Sequence, residues 1–179
     1  MTSCIKKYII TGAPGTGKTT LIHALEKHYL CMHEVSRKVI AQEQQSKREG
    51  TPWQDLSRFA TLFYEYFIRT LKNNPQALIT DRSLLDLAAY HLVEGMSIPA
   101  YIDEFPYHET FQRKVFFNPT WQEIYRVDEQ RQQTFEYCIE LEKALKKTYV
   151  AKKFQLDLLP KDTVAHRVEF VKKSIKIAG

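Results

Sequence analysis

A glycine-rich segment near the N-terminus has the residue types and the spacing of a phosphate-binding loop. It runs Gly12-Ala13-Pro14-Gly15-Thr16-Gly17-Lys18-Thr19. This matches the pattern of Gly, four free positions and then Gly-Lys-Ser/Thr. The glycines let backbone N–H groups turn toward a phosphate, the lysine reaches the β- and γ-phosphates, and the last threonine can bind Mg²⁺. The loop, together with Thr20 after it, therefore predicts a site for a nucleoside triphosphate, either ATP or GTP.

The residues on either side of this loop support the prediction. The apolar run Tyr8-Ile9-Ile10 before it predicts a buried strand, and Leu21, Ile22 and Leu25 after it have helical spacing. Strand, glycine loop and helix is the order in which a phosphate-binding loop occurs. An ordinary glycine turn between a strand and a helix is the alternative.

A carboxylate follows a second apolar run. Residues 77–80 predict another buried strand, and Asp81 comes directly after it, where a P-loop protein keeps a carboxylate close to Mg²⁺. Asp81 and Thr19 are therefore the predicted metal ligands. The next residue is Arg82, and a cation beside the phosphates favours phosphoryl transfer to a bound acceptor over rapid hydrolysis. A helix N-cap is the alternative role for Asp81.

Four polar residues are candidates for contact with an acceptor. Glu34 and Arg37 follow the second predicted strand, where the carboxylate could accept a proton and the guanidinium could hold a phosphate. A simple surface ion pair between them fits the spacing equally well. Asp86 and Tyr90 lie one helical turn apart in a later helix, and they either line an acceptor pocket or face solvent.

A polar segment after the fourth predicted strand is a candidate lid. It spans residues 119–131 and carries Arg126 and Arg131. A lid with arginines would close on the triphosphate, exclude water and stabilise charge in the transition state. A solvated helix start is the alternative, and Trp121 and Tyr125 could either stack on a base or pack under the lid.

Five apolar runs, separated by helical patterns, predict an α/β fold with a parallel sheet. The last run, residues 154–158, alternates between apolar and polar residues and predicts an edge strand. Thr51-Pro52-Trp53-Gln54 resembles a capping box that starts a helix, and residues 99–112 predict another helix with a break near Pro106. The candidate functional residues all follow strands, at the sheet edge where such folds bind ligands.

Length and composition indicate one globular domain over residues 1–179. The chain has a formal net charge of +5, with 44% hydrophobic and 26% charged residues, and the positive charges are scattered. Three cysteines far apart in sequence predict neither a zinc site nor a disulfide framework, which favours the cytoplasm. We expect no signal peptide and no transmembrane segment.

The motifs, taken in order, resemble the small NadR-like P-loop ATPase/kinase family, an AAA-type ATPase domain related to ribosylnicotinamide and nucleoside kinases. The motifs are the P-loop, Glu34-Val35-Ser36-Arg37, Asp81-Arg82-Ser83 with Asp86 and Tyr90, Thr120-Trp121-Gln122-Glu123-Ile124-Tyr125-Arg126, and Arg131-Gln132-Gln133-Thr134-Phe135. The resemblance spans about residues 6–171.

The resemblance implies a P-loop NTPase fold of the nucleoside-kinase type. Its parallel five-stranded sheet would lie between helices as a three-layer sandwich, with the Asp81 strand beside the P-loop strand. It also implies binding of ATP or GTP with Mg²⁺, and lid arginines at Arg126 and Arg131. By similarity to nucleoside kinases, Glu34 would be the base on the acceptor side and Arg82 a phosphate or acceptor contact.

Two functions are consistent with these motifs. The first is a kinase that transfers the γ-phosphoryl group to a nucleoside-like or other small hydroxyl acceptor. The second is a nucleotide-dependent ATPase or GTPase switch, or a binding module, with a protein or phospholipid partner. The guanine motif Asn-Lys-x-Asp does not occur in the sequence, which disfavours the common GTPase switches. We expect no nucleic-acid partner, because no recognition helix or aromatic RNA-binding strand occurs.

Overall fold

The computed structural model of this protein describes residues 5–126 and 133–178, and a parallel sheet between two layers of helices forms its framework. The strands are β1 (Lys7–Thr11), β2 (Cys31–Met32), β3 (Ile79–Asp81), β4 (Phe111–Phe117) and β5 (Gln155–Leu158). The helices are α1 (Lys18–Leu25), α2 (Ser36–Gln45), α3 (Leu56–Asn73), α4 (Leu84–Val93), α5 (Ala100–Asp103), α6 (Tyr107–Thr110), α7 (Phe135–Ala151) and α8 (Val164–Ala178). Gln122–Ile124 form a 3₁₀ turn.

The strands lie in the order β2-β3-β1-β4-β5, and every neighbouring pair is parallel. Strand β1 is central, so both of its neighbours end beside the P-loop. Ile10 is paired with Asp81 on one side and with Phe116 on the other. The predicted five-stranded parallel sheet, the place of the Asp81 strand beside β1 and the edge position of β5 are all confirmed.

The two faces of the sheet bury separate apolar clusters. Ile9 points into a cluster with α3, α4 and α7, whereas Ile10 points into a cluster with α1 and α8. Neighbouring strand residues face opposite ways, so an apolar strand that is covered on both faces has no polar side. The arrangement is the predicted three-layer sandwich.

The start of α3 differs from its prediction. The capping box at Thr51 is wrong, because α3 begins at Leu56 and Asp55 caps it by accepting a hydrogen bond of 2.9 Å from the Arg58 N–H. The Thr51 hydroxyl instead donates to the side chain of Gln54 at 2.6 Å, within a turn. Thr51 thus belongs to the turn that precedes the helix, and the helix starts about one turn later than the sequence pattern predicts.

The helical segment predicted over residues 99–112 is confirmed with its break near Pro106, but it ends two residues earlier than predicted. Two short helices, α5 and α6, occur there, and β4 begins at Phe111. Pro106 lies between the helices, lacks an N–H and restricts the residue before it. Phe111 is buried against the rings of Phe67 and Phe105, so this end of β4 contributes to the core.

Two further features concern the cysteines and the length of the helices among the described residues. Cys31 and Cys138 are free thiols. In the described parts of the chain, no helix combines the length and the apolar character that crossing a bilayer requires.

Candidate functional site

The glycine loop connects β1 to α1 and holds the backbone conformation that its sequence predicts. Gly17 is the N-cap of α1 with φ 75°, in the left-handed region that glycine adopts without strain. At Gly12, where φ is 143°, an added Cβ would lie 2.3 Å from the carbonyl oxygen of Asn118. The loop therefore needs glycine at Gly17 for its conformation, and at Gly12 for close approach to the end of β4 as well.

Lys18, the first residue of α1, folds back over the loop. Its ammonium donates to the Ala13 carbonyl oxygen at 2.8 Å and to the Thr16 hydroxyl at 3.4 Å. Burial, followed by the nearby charge of Arg82, lowers the pKa of Lys18 to about 7. A phosphate beside the ammonium would favour the charged form and exchange these bonds to neutral oxygens for ion pairs with phosphate oxygens. The loop is thus ready to bind an anion.

Arg82 joins three parts of the site. It lies just after β3 with φ 69°, a left-handed conformation that costs a non-glycine residue on the order of 1–3 kcal/mol. Its Nε donates to Glu34 Oε1 at 2.9 Å, and its Nη1 donates to Asp86 Oδ1 at 2.9 Å and to the Gly12 carbonyl oxygen at 3.2 Å. The guanidinium therefore connects the ends of β2 and β3 to the P-loop.

Glu34 lies between two arginines and a hydroxyl group. Ser36 donates a short hydrogen bond to Glu34 Oε1, and Arg37 Nε is 3.7 Å from Glu34 Oε2. Burial alone would raise the pKa of Glu34, but the charges of Arg82 and Lys18 and the bond from Ser36 lower it to about 2. The surface pair of Glu34 and Arg37 is therefore only the weaker of two ion pairs, since Arg82 is the closer partner.

Asp86 is part of the framework as well as of the cavity wall. It is 2% exposed, so the alternative that it faces solvent is wrong. Its Oδ1 accepts from Thr11 at 2.6 Å as well as from Arg82, and its Oδ2 accepts from the Tyr149 hydroxyl at 2.6 Å and the Ser83 N–H at 3.1 Å. These partners hold the carboxylate that orients Arg82.

The predicted metal ligands lie at the same end of the sheet. Asp81 is 3% exposed and its Oδ1 has no hydrogen-bond partner among the described residues, whereas Thr19 is exposed in the first turn of α1. Burial, and then the negative charge of Glu34, raise the pKa of Asp81 to about 7. A buried carboxylate oxygen without a partner and a threonine hydroxyl are hard oxygen ligands, so these residues fit Mg²⁺.

One cavity of about 540 Å³ extends from the P-loop to the far side of Glu34. Its polar wall includes Glu34, Arg37, Arg82, Asp86 and Tyr90, the five residues predicted to contact an acceptor. Its apolar wall includes Ile40, Pro52, Phe59, Phe63 and Leu87. The volume is in the range of small-molecule sites.

The described part of the candidate lid lies over the P-loop. An added Cβ at Gly15 would lie 2.7 Å from the Tyr125 ring, and that ring packs edge-on against Phe135. Arg126 is exposed, lines the cavity and donates to the Tyr125 carbonyl oxygen at 2.6 Å. Arg131 lies outside the described residues.

Arg167 in α8 contacts the P-loop from the other layer. It is 3% exposed, and its Nη2 donates to the Thr16 carbonyl oxygen at 3.3 Å and, by a shorter bond, to the side chain of Asn118. Asn118 in turn donates to the Thr11 carbonyl oxygen at 2.9 Å. Arg167 also lines the cavity, and its buried Nε has no hydrogen-bond partner within residues 5–126 and 133–178.

Comparison with protein families agrees with this geometry. A family model described as an AAA domain matches residues 7–167, nearly the whole chain. The chain belongs to this AAA-domain family. The predicted membership of a P-loop family with an AAA-type domain is thus confirmed, and the closer likeness to ribosylnicotinamide kinase stays a prediction. The search of curated proteins found no match.

Several solved structures share the fold of this AAA domain. Deoxyadenosine kinase from M. mycoides with bound dATP is 17% identical, with 96% of this chain and 100% of the other covered and a TM-score of 0.65. Thymidylate kinase from Candida albicans is 11% identical over 97% and 92% of the two chains, with a TM-score of 0.66. Thymidylate kinase from Ehrlichia chaffeensis is 15% identical over 96% and 98%, with a TM-score of 0.60. The predicted nucleoside-kinase type of P-loop fold is therefore confirmed.

Several residues that build the site of this AAA domain are not among the predicted site residues. Arg167 and Asn118 brace the loop, and Phe59 and Phe63 form a wall of the cavity although their spacing predicts only a core stripe. The sequence does contain a sign of the role of Arg167, because this charged residue lies next to Val168 on the apolar face of the last helix. No comparable signal distinguishes Asn118 from an ordinary loop residue.

Proposed function

We propose that this protein is a P-loop kinase that transfers the γ-phosphoryl group of ATP or GTP, as the Mg²⁺ complex, to a hydroxyl group of a nucleoside-like acceptor. The AAA-domain family and the shared fold of the nucleoside and thymidylate kinases support a P-loop phosphotransferase. In this proposal residues 1–179 form one kinase domain, with residues 119–131 as its lid. The cytoplasm is its natural compartment, since free thiols such as Cys31 persist under reducing conditions.

The observation that carries the proposal is the continuity of the cavity. The P-loop residues Thr16, Lys18 and Thr19 line the same cavity as the aromatic residues Phe59 and Tyr90. A protein that only hydrolyses a triphosphate needs room for a water molecule beside the γ-phosphate. A compartment with aromatic walls instead suits a flat organic acceptor, because rings pack against apolar and aromatic side chains.

In the proposed reaction the bond between the γ-phosphorus and the β–γ bridging oxygen breaks, and a bond to the acceptor oxygen forms. Lys18 and Arg82 stabilise the negative charge on the phosphoryl oxygens, and Arg126 completes this set from the lid side. Thr19 and Asp81 would hold Mg²⁺, which neutralises charge on the phosphates when it is bound. Arg37 and Tyr90 position the acceptor.

The acceptor hydroxyl gives its proton to Glu34. The Glu34 carboxylate is ionised throughout the neutral range, because the charges of Arg82 and Lys18 keep its pKa low despite its burial. Such a carboxylate is a weak base. It therefore orients the acceptor hydroxyl in the ground state and accepts the proton only late in the transfer, after the bond to phosphorus has largely formed. This suits phosphoryl transfer, in which the transition state is loose and positioning contributes most of the rate.

The substitution Glu34→Gln tests the proposal, because glutamine keeps the shape of the side chain but cannot take a proton. We expect transfer to a responsive nucleoside to fall by about 10²-fold or more. Triphosphate affinity, measured by calorimetry, should change little because Lys18 and the loop amides are intact. The matched control is Glu65→Gln, an exposed glutamate of α3 outside the cavity, which should transfer at the rate of the wild type.

The switch hypothesis predicts a different result. Wild-type protein would phosphorylate none of a panel of ribo- and deoxyribonucleosides, and Glu34→Gln would hydrolyse triphosphate at the wild-type rate. That pair of results would overturn the kinase proposal in favour of a nucleotide-dependent module with a protein or phospholipid partner. A panel that includes nucleoside monophosphates would also identify the class of acceptor.

A further inference from the structure

Two histidines and a glutamate meet on the surface beside β2, and none of the three lines the catalytic cavity. His23 lies in the last turn of α1, Glu26 is the C-cap of that helix, and His33 directly follows β2. The Glu26 carboxylate joins the two rings, with Oε2 3.0 Å from His23 Nδ1 and Oε1 2.5 Å from His33 Nε2. The ring centroids are 5.5 Å apart.

These three side chains match the ligand requirements of a transition metal. Each offers one ligand atom, and the three atoms lie within 4.8 Å of one another. On a tetrahedral Zn²⁺ with bonds of roughly 2.1 Å, neighbouring ligand atoms are about 3.4 Å apart. Small rotations of exposed side chains would reach that spacing. Two imidazoles and a carboxylate form a donor set that Zn²⁺ binds in proteins, whereas Mg²⁺ and Ca²⁺ prefer oxygen alone.

We propose that His23 Nδ1, His33 Nε2 and one oxygen of Glu26 bind a divalent transition-metal ion of the Zn²⁺ type, with water as the fourth ligand. In the metal-free protein both ring nitrogens face the carboxylate, and each can donate a hydrogen to it. A nitrogen that binds the metal gives up that hydrogen. A neutral imidazole then carries its proton on the opposite nitrogen, Nε2 of His23 or Nδ1 of His33, and a protonated imidazole releases one proton to solvent.

The position of this site gives the ion a structural role. It would tie the end of α1, the helix that starts at Lys18, to the residue directly before Glu34. The ion would thereby restrain the two segments that carry a phosphate contact and the proposed acceptor base. The inference stands independently of the proposed function, because it depends only on the three surface side chains and a metal titration measures it.

The test uses the full chain without an affinity tag, stripped of metal and titrated with Zn²⁺ against a competing chromophoric chelator in excess Mg²⁺. We expect one Zn²⁺ per chain. The variants His23→Ala, His33→Ala and Glu26→Gln should each weaken binding at least tenfold. His166→Ala is the matched control, since His166 Nδ1 pairs with Asp162 at 2.7 Å and no third ligand is grouped with that pair among the described residues.

A second measurement does not depend on variants. Co²⁺ added to the wild-type protein should give the visible absorption bands of a tetrahedral site with nitrogen and oxygen ligands, and Zn²⁺ should abolish them. The proposal is overturned by the lack of stoichiometric Zn²⁺ binding, or by a Co²⁺ spectrum that shows only octahedral aqua ions. It is equally overturned if either histidine variant binds as the wild type does, or if His166→Ala loses as much affinity as the ligand variants.

Discussion

Arg82 Nε lies 2.9 Å from Glu34 Oε1, which joins the residue after β3 to the segment that follows β2. The same guanidinium is 2.9 Å from Asp86 Oδ1, so one cation forms ion pairs with two carboxylates. Both Arg82 and Glu34 are largely buried, with 8% and 14% of their side chains exposed. The relative position of the P-loop and the segment after β2 therefore depends on one planar group, because Arg82 also donates to the Gly12 carbonyl oxygen.

We expect Arg82→Lys to lower both stability and phosphoryl transfer. Lysine keeps the charge but lacks the fork that reaches Glu34, Asp86 and Gly12 together, and hydrogen bonds to charged groups contribute about 1.5–3 kcal/mol each. The free energy of unfolding, measured with urea, should fall by about 1–3 kcal/mol. The matched control is Arg58→Lys, at a partly exposed pair with Glu43, which should cost about 0–1 kcal/mol. Equal losses in both variants would contradict the central role of Arg82.

Lys18→Ala should weaken triphosphate binding and abolish transfer. The variant removes the ammonium that reaches the β- and γ-phosphates, a charge-assisted contact of about 1.5–3 kcal/mol, so affinity should fall by roughly 10–100-fold. Calorimetry with ATP and GTP measures the change. Lys27→Ala, beyond the end of the same helix, serves as the control and should bind as the wild type does. Normal turnover by a folded Lys18→Ala protein would refute the P-loop assignment.

Arg126→Ala should lower the rate of transfer more than it lowers nucleotide affinity. A lid arginine acts mainly on charge that develops in the transition state, so kcat falls while the dissociation constant changes little. Arg113→Ala, an exposed arginine of β4 outside the cavity, is the control. We expect the same of Arg131→Ala on sequence grounds alone. Unchanged kcat in both lid variants would make this segment an ordinary surface region.

Asp81→Asn should change how stability depends on pH. Burial, and then the Glu34 charge, raise the pKa of Asp81 from 3.8 to about 7. Between those values the folded protein keeps a proton that the unfolded chain has released, so the free energy of unfolding falls as pH rises through this window. Asparagine does not titrate. The variant should therefore gain stability relative to the wild type from about pH 4 to pH 7 in urea unfolding.

The contribution of Glu34 to stability should depend on pH in the opposite direction, which provides an internal check. Its pKa lies below the ordinary value of 4.5, at about 2, so its stabilising contribution is present above 4.5 and is lost as pH falls toward 2. Parallel stability curves for the wild type and Asp81→Asn would show that the Asp81 carboxyl group is not buried in its neutral form. Weaker binding of the triphosphate by Asp81→Asn in Mg²⁺, but not in EDTA, would support the metal role of Asp81.

Much of the framework follows from local rules. The P-loop, the helix Leu84–Val93 and the edge position of β5 could each be predicted, because apolar periodicity and glycine spacing depend on neighbours in sequence. The start of α3 could not be predicted, since Thr51 and Asp55 both have the chemistry of an N-cap. Asp55 is the N-cap because residues 51–54 form a turn before the helix, and the path of the chain through that turn is not a local property of either residue.

The site shows the same contrast between features that depend on neighbours in sequence and features that depend on tertiary packing. The polar residues at the ends of the strands can be recognised from the sequence alone, since a parallel sheet brings those ends to one edge. The choice of Arg82 instead of Arg37 as the main partner of Glu34, and the contact of Arg167 in α8 with the P-loop, arise from the tertiary packing. These contacts join residues 48 and 151 positions apart, and a buried charge takes whichever partner the packing of separate layers brings within reach.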